Sequence, residues 1–167
     1  MAIITYKDMT PKIAPGVFVA ESADIIGDVT IEEGSAIWYG VVIRGDVASI
    51  KIGKNTNVQD NSTIHVSRGI STAIGNNVTI GHNVIVHAAT IEDNCLIGMG
   101  SIILDAARIG QGAQVGAGAL VPPRKEVVSR TLVVGMPCKQ VKELSAEDEQ
   151  GFIDHAARYV KLSKDYL

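Results

Sequence analysis

Aliphatic residues recur at every sixth position along most of the chain. The period shifts only three times: three extra residues follow Ile43, four follow Ile64, and one residue is missing after Val86. Neither the 3.6-residue period of an amphipathic helix nor plain alternation explains this spacing. The eighteen positions in register are Ile13, Val19, Ile25, Ile31, Ile37, Ile43, Ile52, Val58, Ile64, Ile74, Ile80, Val86, Ile91, Ile97, Ile103, Ile109, Val115 and Val121.

Other positions of the repeat follow the same register. Glycine often stands one residue after the aliphatic position, as at Gly53 and Gly98, and a small or β-branched residue stands four after it, as at Val78 and Ala113. A short strand followed by a tight turn, repeated every six residues, fits this pattern. The pattern predicts an all-β solenoid, because an irregular β-sandwich would not keep eighteen positions in register.

This pattern resembles the hexapeptide-repeat superfamily. The resemblance implies a left-handed parallel β-helix in which three hexapeptides make one triangular turn, so eighteen repeats predict six turns, and flat faces that pack into a homotrimer. We expect an N-terminal segment over 1–12, the β-helix over 13–137, and a linker with a C-terminal α-helix over 138–167. Ser145 is placed to cap that helix, with Asp148 as its capping-box partner, and an apolar stripe that includes Tyr159 is expected to cover the solenoid.

Composition narrows the class of protein. Hydrophobic residues make up 46% of the chain but aromatic residues only 4%, so the core must be aliphatic. The net charge of −3 and the lack of a basic patch argue against nucleic acid or an anionic membrane as the partner. No apolar stretch has the length of a membrane span, and no secretory signal is evident. The two cysteines, Cys95 and Cys138, do not form a disulfide framework, so we expect a cytoplasmic protein with free thiols.

Three of the four histidines fall at informative positions of the repeat. His65 and His87 each follow an aliphatic residue directly, and the two repeats differ by one full turn, so the imidazoles should stack about 4.8 Å apart. His82 follows its aliphatic residue by two positions and belongs to another edge of the triangle. In a trimer, His82 of one chain can face His65 and His87 of a neighbour. The spacing therefore predicts a metal site between subunits, suited to zinc and also to iron, cobalt or copper.

Polar residues accompany both groups of histidines. Arg44 shares the column of His65 and His87, with Asp46 within reach, and Gln59 and Asp60 lie on the edge of His82. An Arg–Asp pair in a solenoid turn can also simply join subunits, and Gln59 and Asp60 can also be turn residues that satisfy backbone groups.

The remaining candidates lie on the predicted C-terminal helix. Tyr159 is a candidate catalytic residue as well as a packing residue. For the predicted metal site in the solenoid, the alternative is that His65, His82 and His87 are surface histidines without a metal. For His155 we expect a solvated or packing role.

The motifs together resemble the γ-class carbonic anhydrase family. The resemblance rests on IRGD at 43–46, NVQD at 57–60, His65 after Thr-Ile, and IGHNVIVH at 80–87. It implies zinc, with Fe2+ or Co2+ as other options, held by His65 and His87 of one subunit and His82 of the next. The implied activity is the reversible hydration of CO2 to bicarbonate by a metal-bound hydroxide.

The same resemblance implies roles for the surrounding residues. Arg44 and Asp46 would form an interface salt bridge, Gln59 would bond the reacting water with Asn57 supporting it, and Asp60 would order the neighbouring network.

The chain differs from this family's best-known pattern at two places. Val47 stands where a glutamate follows the Arg-Gly-Asp, and the loop Val66-Ser67-Arg68-Gly69 has no acidic residue where a proton-shuttling glutamate is expected. These differences predict slow proton export, another proton acceptor or another substrate.

Three other functions remain as hypotheses. They are a hexapeptide acyltransferase, a metal-dependent hydrolase of thioesters or other activated acyl compounds, and a non-catalytic protein that keeps the metal for structure. The three histidines count against the acyltransferase, which needs no such cluster.

Overall fold

The structure is a computed structural model that describes residues 1–167, and its main body is a parallel β-solenoid. The strands are β1 (Ala2–Ile4), β2 (Lys12–Ile13), β3 (Phe18–Val19), β4 (Asp24–Ile31), β5 (Ala36–Ile37), β6 (Val42–Ile52), β7 (Asn57–Val58), β8 (Thr63–His65), β9 (Thr72–Ile74), β10 (Thr79–Ile80), β11 (Ile85–His87), β12 (Thr90–Ile91), β13 (Leu96–Ile97), β14 (Ile102–Ile103), β15 (Arg108–Ile109), β16 (Gln114–Val115), β17 (Leu120–Val121), β18 (Glu126–Val127), β19 (Thr131–Val134) and β20 (Lys139–Glu143). Helix α1 (Ala146–Ser163) and one 3₁₀ turn, Lys164–Tyr166, complete the chain. The predicted left-handed β-helix with a C-terminal helix is confirmed.

Aliphatic residues form three stacked columns of seven, which lie inside the solenoid except at its N-terminal end, where Ile3 is 46% exposed and Ile13 and Val19 are half-buried. The first column is Ile3, Ile25, Ile43, Ile64, Val86, Ile103 and Val121. The second column is Ile13, Ile31, Ile52, Ile74, Ile91, Ile109 and Val127. The third column is Val19, Ile37, Val58, Ile80, Ile97, Val115 and Val133.

The solenoid therefore has about seven turns rather than the six predicted from the sequence. Ile3 adds a strand before the first predicted repeat, and Val127 and Val133 extend the stack beyond Val121. Pro122 and Pro123, directly after the last predicted repeat at Val121, interrupt the aliphatic pattern in the sequence. Both prolines lie outside the strands, so the period continues after them.

Each column belongs to one face of a triangular prism, and we number the faces as their columns. Strands β4 and β6 are long enough to run from the first face into the second, which joins these two faces into one twelve-stranded sheet. The third face is an eight-stranded sheet that ends in the antiparallel pair β19 and β20. The first corner lies between the first and second faces, the second corner between the second and third, and the third corner between the third and first.

All three shifts of the period fall at the first corner. The three extra residues lie within β6, the four extra residues form a turn closed by the Ser67–Ile70 bridge, and the missing residue shortens the step from β11 to β12. The columns on either side stay in register, because insertions at a corner do not alter the strand pairing on the faces. The first corner is consequently the most irregular edge of the prism.

Helix α1 covers the third face. Ser145 caps it as predicted: the Asp148 N–H donates to Ser145 Oγ at 3.1 Å, and the Ser145 N–H donates to Asp148 Oδ2 at 2.8 Å. The helix packs near β5, β7 and β10, where the Tyr159 ring meets Trp38 edge-on with ring centroids 5.8 Å apart. No helix of the chain has the length and apolar character needed to cross a bilayer.

The neighbouring valines 127 and 128 provide a matched test of the seventh turn. Val127 is 2% exposed in the second column, whereas Val128 is 60% exposed. We expect Val127→Ala to lower the free energy of unfolding by about 1–3 kcal/mol, because it removes buried methyl groups and leaves a cavity. Val128→Ala should change it by less than about 0.5 kcal/mol. Chemical denaturation at equal protein concentration measures both, and equal losses would contradict the seventh turn.

Candidate metal centre

His65 and His87 lie side by side at the first corner. They are the last residues of the adjacent strands β8 and β11, and the strand register pairs them directly. Arg44 of β6 is the next residue in the same row. The six-residue period thus brings together three residues that are far apart in sequence. His65 Nδ1 and His87 Nε2 face each other at 3.2 Å.

Each of these two imidazoles is held by a carboxylate at its other nitrogen. His65 Nε2 lies 3.0 Å from Asp46 Oδ1, and His87 Nδ1 lies 2.6 Å from Asp105 Oδ1. Asp46 also accepts a hydrogen bond from the Arg44 guanidinium. The carboxylates orient the rings, and they leave one nitrogen of each ring directed at the other ring.

Both carboxylates are held in the ionised form. The hydrogen bond from His87 lowers the pKa of Asp105 against the opposing effect of burial, and Ser67 contributes a further hydrogen bond. For Asp46, burial by itself would raise the pKa, but the hydrogen bond from His65 and the charge of Arg44 outweigh it, so the pKa lies below its ordinary value. Ionised carboxylates are the partners that fix the tautomer of a neutral imidazole.

His82 stands apart from this pair, at the third corner. It follows β10 and its Nδ1 lies 2.8 Å from Asp60 Oδ2, so it has the same kind of carboxylate partner as the other two histidines. Its Nε2 is the nitrogen left over by this contact. Within one chain, no group of three or more His, Cys, Asp or Glu side chains is arranged to hold a metal ion. The chain therefore presents the candidate ligands on two different corners.

The paired histidines fit a zinc-like ion. Two nitrogens bound to one tetrahedral Zn2+ at about 2.0–2.1 Å lie roughly 3.3 Å from each other. The observed separation of 3.2 Å is close to that value. A carboxylate on the outer nitrogen is also the usual partner of a metal-binding histidine, since it orients the ring and raises its basicity. Both the geometry and the chemistry of the donors fit the implied metal.

Gln59 and Asn57 form a buried pair beside the third corner. The Gln59 amide donates to Asn57 Oδ1 at 3.1 Å, and the two residues are 3% and 1% exposed. The Asn57 amide donates in turn to Thr79 Oγ1 at 3.0 Å. The Gln59 amide therefore bonds another side chain rather than a backbone group.

His155 has a more specific environment than the sequence predicts. Its Nδ1 lies 3.1 Å from Thr79 Oγ1, and its ring packs on Tyr159 with centroids 5.2 Å apart. Burial lowers the pKa of His155, and the positive charge of Arg158 lowers it further. The ring is therefore kept neutral and tied to the strand beneath the helix.

A cavity of about 290 Å³ opens between helix α1 and the third face. It brings His82 and Gln59 next to His155 and Tyr159, although it does not include the His65–His87 pair. Apolar residues also line it, Leu96 and Met99 among them. Tyr159 thus borders the cavity of His82 as well as packing against the solenoid.

The two places where acidic residues are missing lie at the first corner. The Val47 side chain is 47% exposed, and Arg68 and Gly69 project into solvent at the turn between β8 and β9. Ser67 of the same turn is hydrogen-bonded to Asp105. Asp105, the acidic residue that Ser67 contacts, is already engaged with His87.

Sequence reasoning missed two participants, Asp105 and Thr79. Asp105 lies two positions after Ile103, which belongs to the column of Ile64 and Val86, so counting one more turn would have placed it beside His87. Thr79 carries no comparable signal, because threonine is common in strands. Its importance depends on a helix that packs on it from 76 residues further along the chain.

Comparison with known proteins agrees with this architecture. Residues 88–123 match the model for the bacterial transferase hexapeptide (six repeats), and residues 49–88 match that for the hexapeptide repeat of succinyl-transferase. Among solved structures, a hexapeptide transferase family protein from Anaplasma phagocytophilum is 40% identical, with a TM-score of 0.95 over 99% of this chain and 98% of its own.

Curated relatives identify the family within these repeat proteins. A carbonic anhydrase from Geobacillus kaustophilus is 48% identical over 98% of this chain and 90% of its own length. Gamma carbonic anhydrase 2, a mitochondrial protein of Arabidopsis thaliana, is 40% identical over 94% of this chain and 59% of its own length. With identity at this level over nearly the whole chain, the protein belongs to the γ-class carbonic anhydrase family of hexapeptide-repeat proteins.

Proposed function

We propose that this protein is a carbonic anhydrase, a lyase that catalyses the reversible hydration of CO2 to bicarbonate at a metal site between the subunits of a homotrimer. The proposed ligands are His65 and His87 of one subunit and His82 of the next, with Zn2+ as the metal and Fe2+ or Co2+ as the other options. The names of the relatives support the activity. The free buried thiols of Cys95 and Cys138 support a cytoplasmic location.

The observation that supports this proposal most strongly is that the three histidines have the same hydrogen-bonding arrangement. Each has a carboxylate on one ring nitrogen, at 3.0 Å for His65, 2.6 Å for His87 and 2.8 Å for His82. Each therefore keeps one nitrogen for another partner, and two of these nitrogens already lie 3.2 Å apart. An ion bound to the pair needs at least one further protein ligand, which His82 of a neighbour would supply.

The surfaces of the three faces support a trimer built through the first face. The third face is covered by α1, and the second face exposes polar residues such as Lys51 and Arg108. Outward positions on the first face are mainly aliphatic and at least partly exposed; from β6 to β17 they are Val42, Thr63, Ile85, Ile102 and Leu120. An apolar patch of this kind marks an interaction surface.

The order of the corners also suits three-fold symmetry. The first face is bounded by the third corner, with His82, and by the first corner, with His65 and His87. Rotating a subunit about an axis in front of this face brings one corner of each chain against the other corner of its neighbour. Such a heterologous contact closes into a ring when the rotation is three-fold. Three identical sites would result.

When bound, the metal would lower the pKa of water to about 7 and so supply a nucleophile at neutral pH. The chain's own residues would have four tasks around it. Asp46, Asp105 and Asp60 hold the imidazole tautomers, Gln59 orients the reacting water through its side-chain oxygen, and Asn57 holds the Gln59 amide. Arg44 and Asp46 together would join the subunits and orient His65.

Proton export is the step for which this chain is least equipped. Val47 and the Val66–Gly69 turn carry no acid, and the carboxylates nearest the histidines are engaged with them. We therefore propose that turnover is limited by proton transfer and responds to added buffer.

A second candidate function is the hydrolysis of a thioester or another activated acyl compound. The observation that favours it is the cavity of about 290 Å³ beside His82, whose apolar part with Leu96 and Met99 exceeds what CO2 requires. The same metal chemistry would serve both reactions. An acyltransferase is less well supported, although a solved relative is named for the hexapeptide transferase family, because acyl transfer does not require three histidine–carboxylate pairs.

The decisive activity test is stopped-flow CO2 hydration on anaerobically purified protein, with metal content measured on the same sample. We expect about one metal ion per subunit and a rate that rises with imidazole buffer concentration. A metal-loaded trimer that cleaves acyl thioesters but does not hydrate CO2 would favour the second candidate. A metal-loaded trimer inactive in both assays would favour a structural role for the metal.

His82→Ala tests the shared site. We expect it to abolish stoichiometric metal binding although it leaves His65 and His87 intact, whereas the control His155→Ala should retain the metal. Metal per subunit is measured by plasma mass spectrometry. Mixed trimers of His65→Ala and His82→Ala chains should regain about a quarter of the wild-type metal, because an intact site needs one chain of each kind in one order. No recovery in well-mixed trimers would contradict sharing between subunits.

Arg44→Ala tests the assembly. Arg44 lies at the edge of the first face, its side chain is 45% exposed in the single chain, and it pairs with Asp46. We expect the variant to dissociate at protein concentrations where the wild type stays trimeric, as measured by sedimentation velocity over a dilution series. Lys51→Ala is the control, since that ion pair with Glu32 lies on the second face. An unchanged profile for Arg44→Ala would argue against its place in the interface.

A further inference from the structure

A chain of side-chain hydrogen bonds links helix α1 to Gln59. The Gln59 amide donates to Asn57 Oδ1 at 3.1 Å, the Asn57 amide donates to Thr79 Oγ1 at 3.0 Å, and Thr79 Oγ1 lies 3.1 Å from His155 Nδ1. The first three residues belong to neighbouring turns of the third face, and His155 belongs to the helix that covers them. The helix therefore touches the site through one specific bond as well as through packing.

The direction of this chain follows from counting donors. An amide nitrogen only donates, so the contact between Asn57 and Thr79 uses a lone pair of the hydroxyl. The Thr79 hydrogen then needs its own acceptor, and the only other side-chain partner of this hydroxyl is His155 Nδ1. His155 Nδ1 accepts this bond if its ring is neutral and carries its proton on Nε2. All the bonds then point the same way, from Gln59 toward the helix.

The donor-to-acceptor direction of these hydrogen bonds is important because the side chains are buried. Asn57, Gln59 and Thr79 are 1%, 3% and 2% exposed, so an amide turned the wrong way would leave a donor or acceptor without a partner and without water. Burial and the charge of Arg158 lower the pKa of His155, which keeps Nδ1 free to accept. With its nitrogen bonded to Asn57, the Gln59 amide group presents its oxygen on the opposite side.

We propose that Thr79 and His155 are positioning residues that set the orientation of the Gln59 side chain, so that its oxygen is the atom offered to the reacting water. This inference rests on the proposed function for the identity of that water. The bonding chain itself is a property of the folded protein and exists without metal or substrate. The C-terminal helix thereby becomes part of the active site through its effect on Gln59.

The metal-free protein provides the first test, using 15N NMR of histidine and glutamine side chains. We expect His155 to show the nitrogen shifts of the Nε2–H tautomer, and the Gln59 side-chain amide to exchange slowly with solvent. Thr79→Val should remove the tautomer preference and speed that exchange about tenfold, because the hydroxyl is lost while the shape is kept. Thr79→Ser should restore both signals. An Nδ1–H tautomer in the wild type, or no change in Thr79→Val, would overturn the proposal.

A kinetic double-mutant cycle provides the second test. At saturating imidazole buffer, where proton transfer no longer limits turnover, Thr79→Val should lower kcat for CO2 hydration up to about tenfold with KM unchanged. The metal content should stay at the wild-type level. In a Gln59→Ala background the same substitution should have no further effect, since Thr79 acts through Gln59. Independent, multiplying losses would overturn the proposal. Thr90→Val, on the exposed second face, is the matched control and should leave kcat unchanged.

The two tests separate this inference from the proposed function. A wild-type protein that lacks CO2 hydration would contradict the proposed function alone, because the NMR signals of the metal-free protein still report the bonding chain. If Thr79→Val loses the His155 tautomer preference and speeds exchange of the Gln59 amide but leaves kcat unchanged, the positioning role is overturned and the proposed activity stands.

Discussion

The structure depends on one constraint: each turn of the solenoid stacks on the turn before it through backbone hydrogen bonds, one strand spacing of about 4.8 Å away. Residues about 18 to 22 positions apart therefore become neighbours on the same face or corner. His65 and His87 are 22 apart, as are Asn57 and Thr79, and His87 and Asp105 are 18 apart. Aliphatic residues that point inward maintain this register, and the polar residues of the site use it from the outside.

The site lies where the period is locally broken. Every shift in the repeat occurs at the first corner, and this corner holds the histidine pair and two of its carboxylates. Extra residues in β6 carry Asp46 beside His65, and the extra turn after β8 brings Ser67 to Asp105. The carboxylates of His82 and His87, Asp60 and Asp105, come from unbroken repeats. The insertions add Asp46 and Ser67 to the first corner.

The three faces of the prism differ in the residues that they present at the surface. The second face is polar, the third is covered by helix α1, and the first keeps an aliphatic surface bounded by the two histidine-bearing corners. The candidate ligands of a single chain lie on the two corners that bound the first face, and no three of them meet within the chain. The C-terminal helix also has a role beyond covering apolar surface, since His155 and Tyr159 reach the cavity that contains His82 and Gln59.

The six-residue period by itself determined the strand columns and the pairing of His65 with His87, because stacking converts sequence separation directly into position. It also separated His82 from them, and local capping chemistry was enough to start the helix at Ser145. Only the tertiary structure decided the rest. The turn count depended on strands that continue past Pro122 and Pro123, and the carboxylate on His87 depended on how the corner of the next turn folds. The bond between Thr79 and His155 depended on the docking of a helix 76 residues away, which no local pattern encodes.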